Sequence, residues 1–344
     1  MTPPDSAELL IVGAGPAGLC AAAAAREHHL EPIIIESQSR AGGIWHQVEP
    51  DLLCLSPRQR DLLPDGSSPQ GAGQRARADE VLQCLEDFSQ RSGFDIRYST
   101  SAHNLCASEH DLELTTDAGI LRSKRVVLAC GEYGNPRIPQ LPGSFGGLSQ
   151  HSSEVRADQI GDDERIVIVG SGNSAVDLAS RLLSRGMKIS LAARSGISPA
   201  VPIAKEPIST LMWWLSALPT SWLPGALHCT DSVPKVDDDL RLAASQGQLR
   251  VVGEAVGLED GALLAAHGER VAVDRIIWAT GFSRDLSWVS GITLDDSGLP
   301  HHDRGVSTQL QGLAFMGLPC MRTRRSGFLR GYSADARAIV GRLK

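Results

Sequence analysis

The sequence predicts an α/β fold built from two parallel-sheet units. Three observations predict it. A short apolar run, a glycine turn and a helix-forming stretch follow one another twice, first at ELLIV (8–12) with GAGPAG and again at RIVIVG (165–170) with GSGNSA. Each set is followed by a second apolar run, IIIE at 33–36 and KISLAAR at 188–194. Each half also closes on an apolar strand that runs into a glycine, RVVLACG (125–131) and DRIIWATG (274–281). The stretch from first glycine to closing glycine, Gly13 to Gly131 and Gly170 to Gly281, is nearly the same length in both halves, a degenerate internal repeat.

The elements follow in order. Residues 8–12 lack the alternation of a half-solvated strand and read as a strand buried on both faces. The Ala-rich stretch after Gly13 reads as a helix, and 33–36 as a second strand ending in an acid. Pro64–Gly73 is polar and rich in Pro and Gly, a surface loop. Val81, Leu82, Leu85 and Phe88 recur at helical spacing within 79–92. Short strands are expected near 95–99, 112–116 and 125–129. Residues 135–147, NPRIPQLPGSFGG, hold three prolines and read as a linker. The second unit then repeats strand, turn, helix and strand, with further strands near 249–252, 271–273 and 274–282, and ADARAIVGRL forms a last helix.

The turns carry the first chemical content. Gly13-x-Gly15-x-x-Gly18 sits between a strand and a helix, where its glycines permit a tight turn, close approach to a pyrophosphate and close helix packing. Glu36 ends the second strand of that unit, where a carboxylate accepts from ribose hydroxyls. Gly170-x-Gly172-x-x-Ala175 repeats the pattern, and its helix opens on Asn173 and Ser174. Arg194, at the matching place in the second unit, replaces the acid; a guanidinium there pairs with a 2′-phosphate that a carboxylate would repel. A solvated surface arginine is the plain alternative. Two Rossmann-like dinucleotide-binding domains result, the first for a free ribose 2′-hydroxyl and the second preferring NADPH over NADH.

Composition narrows the class. A formal charge of −7 excludes a generally basic nucleic-acid binder. The seven cysteines, at 20, 54, 84, 106, 130, 229 and 320, contain no C-x-x-C pair, so a zinc ribbon or local redox dithiol is unsupported, and scattered thiols fit a cytoplasmic setting. MTPPDSAELL has no basic signal region. Residues 207–230 hold no Asp, Glu, Lys or Arg, but Pro207, Pro219 and Pro224 break them up, so no stable membrane span is expected. An apolar lid, a homodimer face or a shallow membrane contact are the readings for this insert.

At these motifs the chain resembles the FAD- and NADPH-dependent class B flavoprotein monooxygenases, including flavin-containing and YUCCA-type enzymes. Gly42-Gly43-Ile44-Trp45 resembles their G-G-x-W segment, and Leu55-Ser56-Pro57 through Leu63-Pro64 the YUCCA-type L-P-K…L-P segment. Phe145-x-Gly147-x-x-x-His151 is similar to the linker fingerprint, with Val155 where an aromatic residue stands in the family. Cys130 replaces the Thr of the first A-T-G, DRIIWATGF carries the second, and 312–336 resembles the C-terminal flavin segment. The Asn that flavin-containing monooxygenases carry falls at about Cys54, and YUCCA-type sequences lack it too.

The resemblance implies a pyridine nucleotide-disulfide oxidoreductase-like architecture, with an FAD domain (1–150 and 275–344) interrupted by an NADPH domain (151–274) that carries an apolar insert at 203–230. It implies transfer of one oxygen from O2, through a C4a-(hydro)peroxyflavin, to a small N-, S- or carbonyl-centred substrate. Implied FAD contacts are Gly13, Gly15, Pro16, Ala17, Gly18, Glu36, Ser37, Gly43, Trp45, His46, Ala102, Cys130, Gly131, Gly281, Phe328 and Leu329. Implied NADPH contacts are Gly170, Gly172, Asn173, Ser174, Arg194 and Thr280. Ser56 and Cys54 are the catalytic candidates, with loop packing as their alternative, and no metal site is expected. His151 reads as a hydrogen-bonding linker residue, and Arg322, Arg324 and Arg325 as a solvated run or an anion contact. Trp213, Trp214 and Trp222 read as lid or core bulk, or as a substrate-cavity lining. Two other functions stay open: a thioredoxin-reductase-like oxidoreductase without a dithiol, reducing ferredoxin or quinone, and a non-catalytic nucleotide-binding regulator.

Overall fold

A computed structural model describes residues 6–194, 214–222 and 239–343. Two compact units make up the chain: Met1–Gly134 with Thr210–Cys229 and Arg284–Lys344, and Asn135–Ser209 with Thr230–Ser283.

The first unit centres on a seven-stranded sheet. Its parallel part orders Leu313–Phe315, Val126–Leu128, Leu9–Val12, Pro32–Ile35 and Asp95–Arg97, and two short antiparallel strands, Val306–Ser307 and His302–Asp303, extend one edge. Leu9–Val12 and Pro32–Ile35 are buried along their whole length, as continuous apolar runs demand in a sheet covered on both faces. The Pro16–Glu27 helix starts on a proline that needs no N–H partner in the first turn. Ala17, Gly18, Leu19, Cys20, Ala21, Ala22, Ala24 and Ala25 are all buried, so small side chains let the helix sit close to its neighbours. The Ala78–Ser92 helix opens with Asp79 and Glu80 in its first turn, where they complement the helix dipole, and stops at Gly93 in the left-handed conformation (φ 57°). A second, four-stranded sheet (Ser6–Ala7, Gly119–Ser123, Leu112–Thr116, Ala102–Ala107) completes the unit with the Leu53–Pro57 and Arg75–Arg77 pair.

The second unit holds a five-stranded parallel sheet in the order Leu148–His151, Arg275–Trp278, Ile166–Val169, Ile189–Ala192, Leu249–Val252. The Asn173–Ser184 helix buries Ala175, Val176, Leu178, Ala179 and Leu182 on one side. A three-stranded antiparallel sheet spans Ala255–Glu259, Ala262–Ala265 and Glu269–Ala272.

The observed boundaries differ from those expected. The expected limits at 150/151 and 274/275 move to 134/135 and 283/284. The reason is strand pairing: Leu148–His151 and Arg275–Trp278 both lie in the sheet that holds Ile166–Val169. The last helix runs from Leu329 to Val340, starting earlier than ADARAIVGRL suggests, because Gly331 in its first turn masks the helical pattern. Most of the 203–230 insert lies outside the described residues, Trp213 included. Its described part, 214–222, joins the first unit rather than the second: Thr220 N donates to Arg322 O at 3.0 Å and Arg325 Nε donates to Ser216 Oγ at 3.1 Å. Among the described residues no helix is long and apolar enough to cross a membrane.

Candidate functional site

The first glycine turn is a tightly bonded cradle. Gly13 has φ +105°, and a Cβ there would stand 2.5 Å from Ala129 O. A Cβ on Gly18 would stand 1.8 Å from Gly13 O, so turn and helix meet only through glycine. Gly13 N donates to Ile35 O at 2.8 Å and Ala129 N to Val12 O at 2.8 Å, locking three strand ends together. The Gly42-Gly43 segment passes against this turn: Gly42 N donates to Ala14 O at 3.0 Å, and a Cβ on Gly43 would stand 3.2 Å from Gly15 Cα. The helix beginning at Pro16 thus presents its N-terminus beside backbone that only glycine allows so close, which fits the diphosphate of FAD. Glu36 is buried, with Oε2 accepting from Ala14 N at 2.6 Å and Oε1 from Gln38 N at 2.8 Å and Ser37 Oγ at 3.3 Å. It holds the turn's shape as well as offering acceptors to a ribose.

The second cradle repeats this geometry with the same bonds. Gly170 has φ +125°, with Ala279 O 2.3 Å from where a Cβ would stand. Gly170 N donates to Ala192 O at 2.9 Å and Ala279 N to Val169 O at 2.8 Å. Among the described residues nothing lies within 4 Å of where a Gly172 Cβ would stand, and Asn173 begins the helix, so this turn also fits a pyrophosphate. Arg194 is 79% exposed and its Nε lies 3.8 Å from Glu254 Oε1.

Gly281, expected among the FAD residues, lies in the second unit, and so does Thr280. His151 is fully buried: Ser153 N donates to its Nδ1 at 3.2 Å, so the ring's proton sits on Nε2, which donates to Gly281 O at 3.0 Å. Its ring meets Phe282 edge-on at 4.7 Å between centroids. Burial holds this imidazole below its ordinary pKa, so it is a neutral brace for the strand-end turn. Thr280 Oγ1 donates to Arg137 O, tying the same turn to the linker.

Three further sequence candidates take these places. His46 turns its Nε2 to Ala41 O at 2.7 Å and is buried at the side chain, so it braces its own turn. Trp45 is half-buried and packs on the first unit's core. Arg322 pairs with Asp335 Oδ1 at 2.9 Å, and Arg325 bonds Ser216. This run is therefore structural at two of its three arginines. Phe328 caps the last helix and Leu329 begins it; Ala102 opens the Ala102–Ala107 strand; Cys130 and Gly131 follow Ala129 at the cradle's strand end.

The segment carrying Cys54 and Ser56 holds a residue that the sequence does not single out. Ser56 Oγ donates to Asp61 Oδ1 at 2.6 Å, and Asp61 is fully buried with Oδ2 lacking a hydrogen-bond partner. Loss of water pushes the Asp61 carboxyl up to about 6, with Ser56 and the Arg330 charge pulling the other way. Burial draws the Arg330 guanidinium down to about 10, with Asp61 opposing, and its carbon lies 4.2 Å over the Phe328 ring. Burial pushes the Cys54 thiol up to about 12, and Cys20 likewise. Such thiols stay protonated and are poor nucleophiles. Ser56 is committed to Asp61, so neither catalytic candidate is an activated nucleophile. Of Cys54, Ser56 and Asp61, Asp61 is the one whose pKa lies nearest neutrality, at about 6. Among the described cysteines, 20, 54, 84, 106 and 130 are free thiols and Cys320 is disulfide-bonded, which departs from the expectation of scattered thiols alone. No group of metal-ligating side chains occurs among the described residues.

These features agree with comparisons to known proteins. Residues 10–211, more than half of the chain, match the pyridine nucleotide-disulphide oxidoreductase family. The chain is 26% identical to an uncharacterized CzcO-like oxidoreductase of Geobacillus kaustophilus over 97% of each sequence. It is 25% identical to the indole-3-pyruvate monooxygenase YUCCA1 of Oryza sativa subsp. japonica, covering 81% of this chain and 78% of that one. Among solved structures, a flavin-containing monooxygenase from Stenotrophomonas maltophilia superposes with a TM-score of 0.83 at 21% identity, over 99% and 98% of the two chains. A bacillithiol disulfide reductase from Bacillus cereus superposes at 0.76 with 17% identity, over 98% of each. The chain belongs to the pyridine nucleotide-disulphide oxidoreductase family.

Proposed function

We propose that the chain is an NADPH-dependent FAD monooxygenase. The overall reaction takes substrate, O2, NADPH and a proton to oxygenated substrate, water and NADP⁺, on a small molecule with a nitrogen, sulfur or carbonyl reaction centre. The observation that carries this reading is the pair of complete cradles with opposite charges at their second strand ends, Glu36 in one and Arg194 in the other. Bound FAD supplies the redox chemistry, passing reducing equivalents from NADPH to O2. The protein supplies position and proton control. The Pro16 helix terminus holds the diphosphate, Glu36 fixes the turn, and His151 fixes the Gly281 turn of the NADPH unit. Asp61, buried beside Ser56 and Arg330, is the candidate for holding a proton within the first unit.

The raised pKa values of Cys20 and Cys54 argue against either serving as the attacking thiol of a thiol–disulfide exchange. The test is a coupling measurement. The FAD-loaded protein is given NADPH and ¹⁸O2 with a panel of amines, thioethers and ketones, and NADPH loss is compared with labelled product. One labelled oxygen per NADPH with any member supports the reading. NADPH loss accounted for by hydrogen peroxide with every member, together with rapid reduction of ferredoxin or quinone, would overturn it in favour of a reductase.

A further inference from the structure

The carboxyl edge of the second unit's sheet carries a charge pair. Ala192 and Val252 are register partners on neighbouring parallel strands. Arg194 stands two residues beyond Ala192 and Glu254 two beyond Val252, so the register delivers both to one edge. Ala193 N donates to Val252 O at 3.2 Å, which keeps the two strand ends together past the regular pairing. Ala266 N donates to Glu254 O at 2.7 Å, which anchors that backbone to the adjoining hairpin. The side chains meet at 3.8 Å, and both are open to solvent, at 79% and 54% exposure. In parallel α/β sheets, nucleotides bind in the crevice outside such strand ends.

We infer that Glu254 sets the nicotinamide-cofactor selectivity of this site by opposing Arg194. The inference rests on the reading of Arg194 as the 2′-phosphate partner. A 2′-phosphate carries close to two negative charges at neutral pH. Arriving at Arg194, it displaces one carboxylate from the guanidinium and then sits within a few ångströms of that carboxylate. A ribose 2′-hydroxyl meets the opposite situation, since it can donate a hydrogen bond to the Glu254 carboxylate and no anion is repelled. The pair therefore lowers the advantage of NADP(H) and makes NAD(H) a tolerated ligand. An isolated arginine at this strand end would discriminate more strongly.

The experiment uses the oxidised, FAD-loaded full chain and calorimetric titration with NADP⁺, NAD⁺, 2′,5′-ADP and ADP, so no turnover is needed. Glu254→Gln keeps the side-chain size and removes the charge at an exposed position, so it is not expected to disturb folding. It is expected to tighten NADP⁺ and 2′,5′-ADP about three- to fivefold at low salt, the scale of one exposed charge. NAD⁺ and ADP are expected to hold or weaken, and high salt to erase most of the gain. Arg194→Gln is expected to weaken NADP⁺ and 2′,5′-ADP about tenfold and leave ADP unchanged. If Arg194→Gln acts as expected while Glu254→Gln leaves the NADP⁺/NAD⁺ ratio unchanged, the role of Glu254 is overturned and the Arg194 reading stands. If Arg194→Gln also leaves the ratio unchanged, both fail.

Discussion

The two cradles share a skeleton and differ in what surrounds it. Both lock a glycine at positive φ against an alanine carbonyl, with Gly13 under Ala129 and Gly170 under Ala279. Both tie that glycine to the neighbouring strand with matching backbone bonds. The first is then enclosed: Gly43 crowds Gly15, and a buried Glu36 bonds the turn from beneath. The second has no described residue crowding Gly172, and an exposed Arg194 stands at its edge. The shared part is what backbone geometry requires of any pyrophosphate turn. In the proposed function the differing part sets which nucleotide binds and how firmly.

The largest effects break the shared part. Gly13→Ala forces a side chain into a positive-φ position 2.5 Å from a carbonyl oxygen, a strain on the order of 1–3 kcal/mol before any clash is counted. The purified variant should be colourless, without the visible absorption of flavin. Gly170→Ala places its Cβ 2.3 Å from Ala279 O, and that protein should stay yellow while losing NADP⁺ binding in calorimetry. If both variants lost the flavin, the two cradles would not be separate sites.

A smaller effect comes from the neutral brace in the second unit. His151→Ala removes one of two donors to Gly281 O, which keeps Arg137 N at 2.9 Å, and leaves a cavity where a fully buried ring stood, together costing about 1–3 kcal/mol in chemical denaturation. Flavin content should be preserved, because the first cradle is untouched.

The smallest effect depends on pH. The folded pKa of Asp61 is raised from 3.8 to about 6, so the native state prefers the protonated form. The corresponding stability is full below the unfolded pKa and is lost as pH rises through about 6. Asp61→Asn mimics the protonated carboxyl. Its stability relative to the parent should rise by about 1–2 kcal/mol between pH 5 and pH 7.5, measured by urea unfolding. A difference independent of pH would show that Asp61 is already ionised when buried.

Legibility in the sequence follows locality. Leu9–Val12, Pro32–Ile35 and Ile166–Val169 are uniformly apolar, and the glycines beside them form motifs within a few positions, so both cradles can be read directly. The Ala102–Ala107 and Gly119–Ser123 strands are hidden because their burial is mixed and their composition ordinary. Asp61 and Arg330 come from distant parts of the chain, and nothing near Asp61 in RQRD marks it as buried. Glu254 is visible only through the Ala192–Val252 register, since the strand order and not the chain brings it beside Arg194. Gly281 reads like Gly131 because their motifs resemble each other, and only strand pairing assigns it to the other unit.

The Gly42-Gly43 arm has a kinetic consequence. Because it is hydrogen-bonded to the fingerprint turn and crowds Gly15, a nucleotide seated there leaves only when two backbone segments part. In the proposed function dissociation then carries the cost of local opening, and the flavin is expected to survive purification and dilution. At the second turn no described residue crowds Gly172, where the first turn meets Gly43. In the proposed function its nucleotide is expected to enter and leave as a co-substrate, exchanging with the cellular pool.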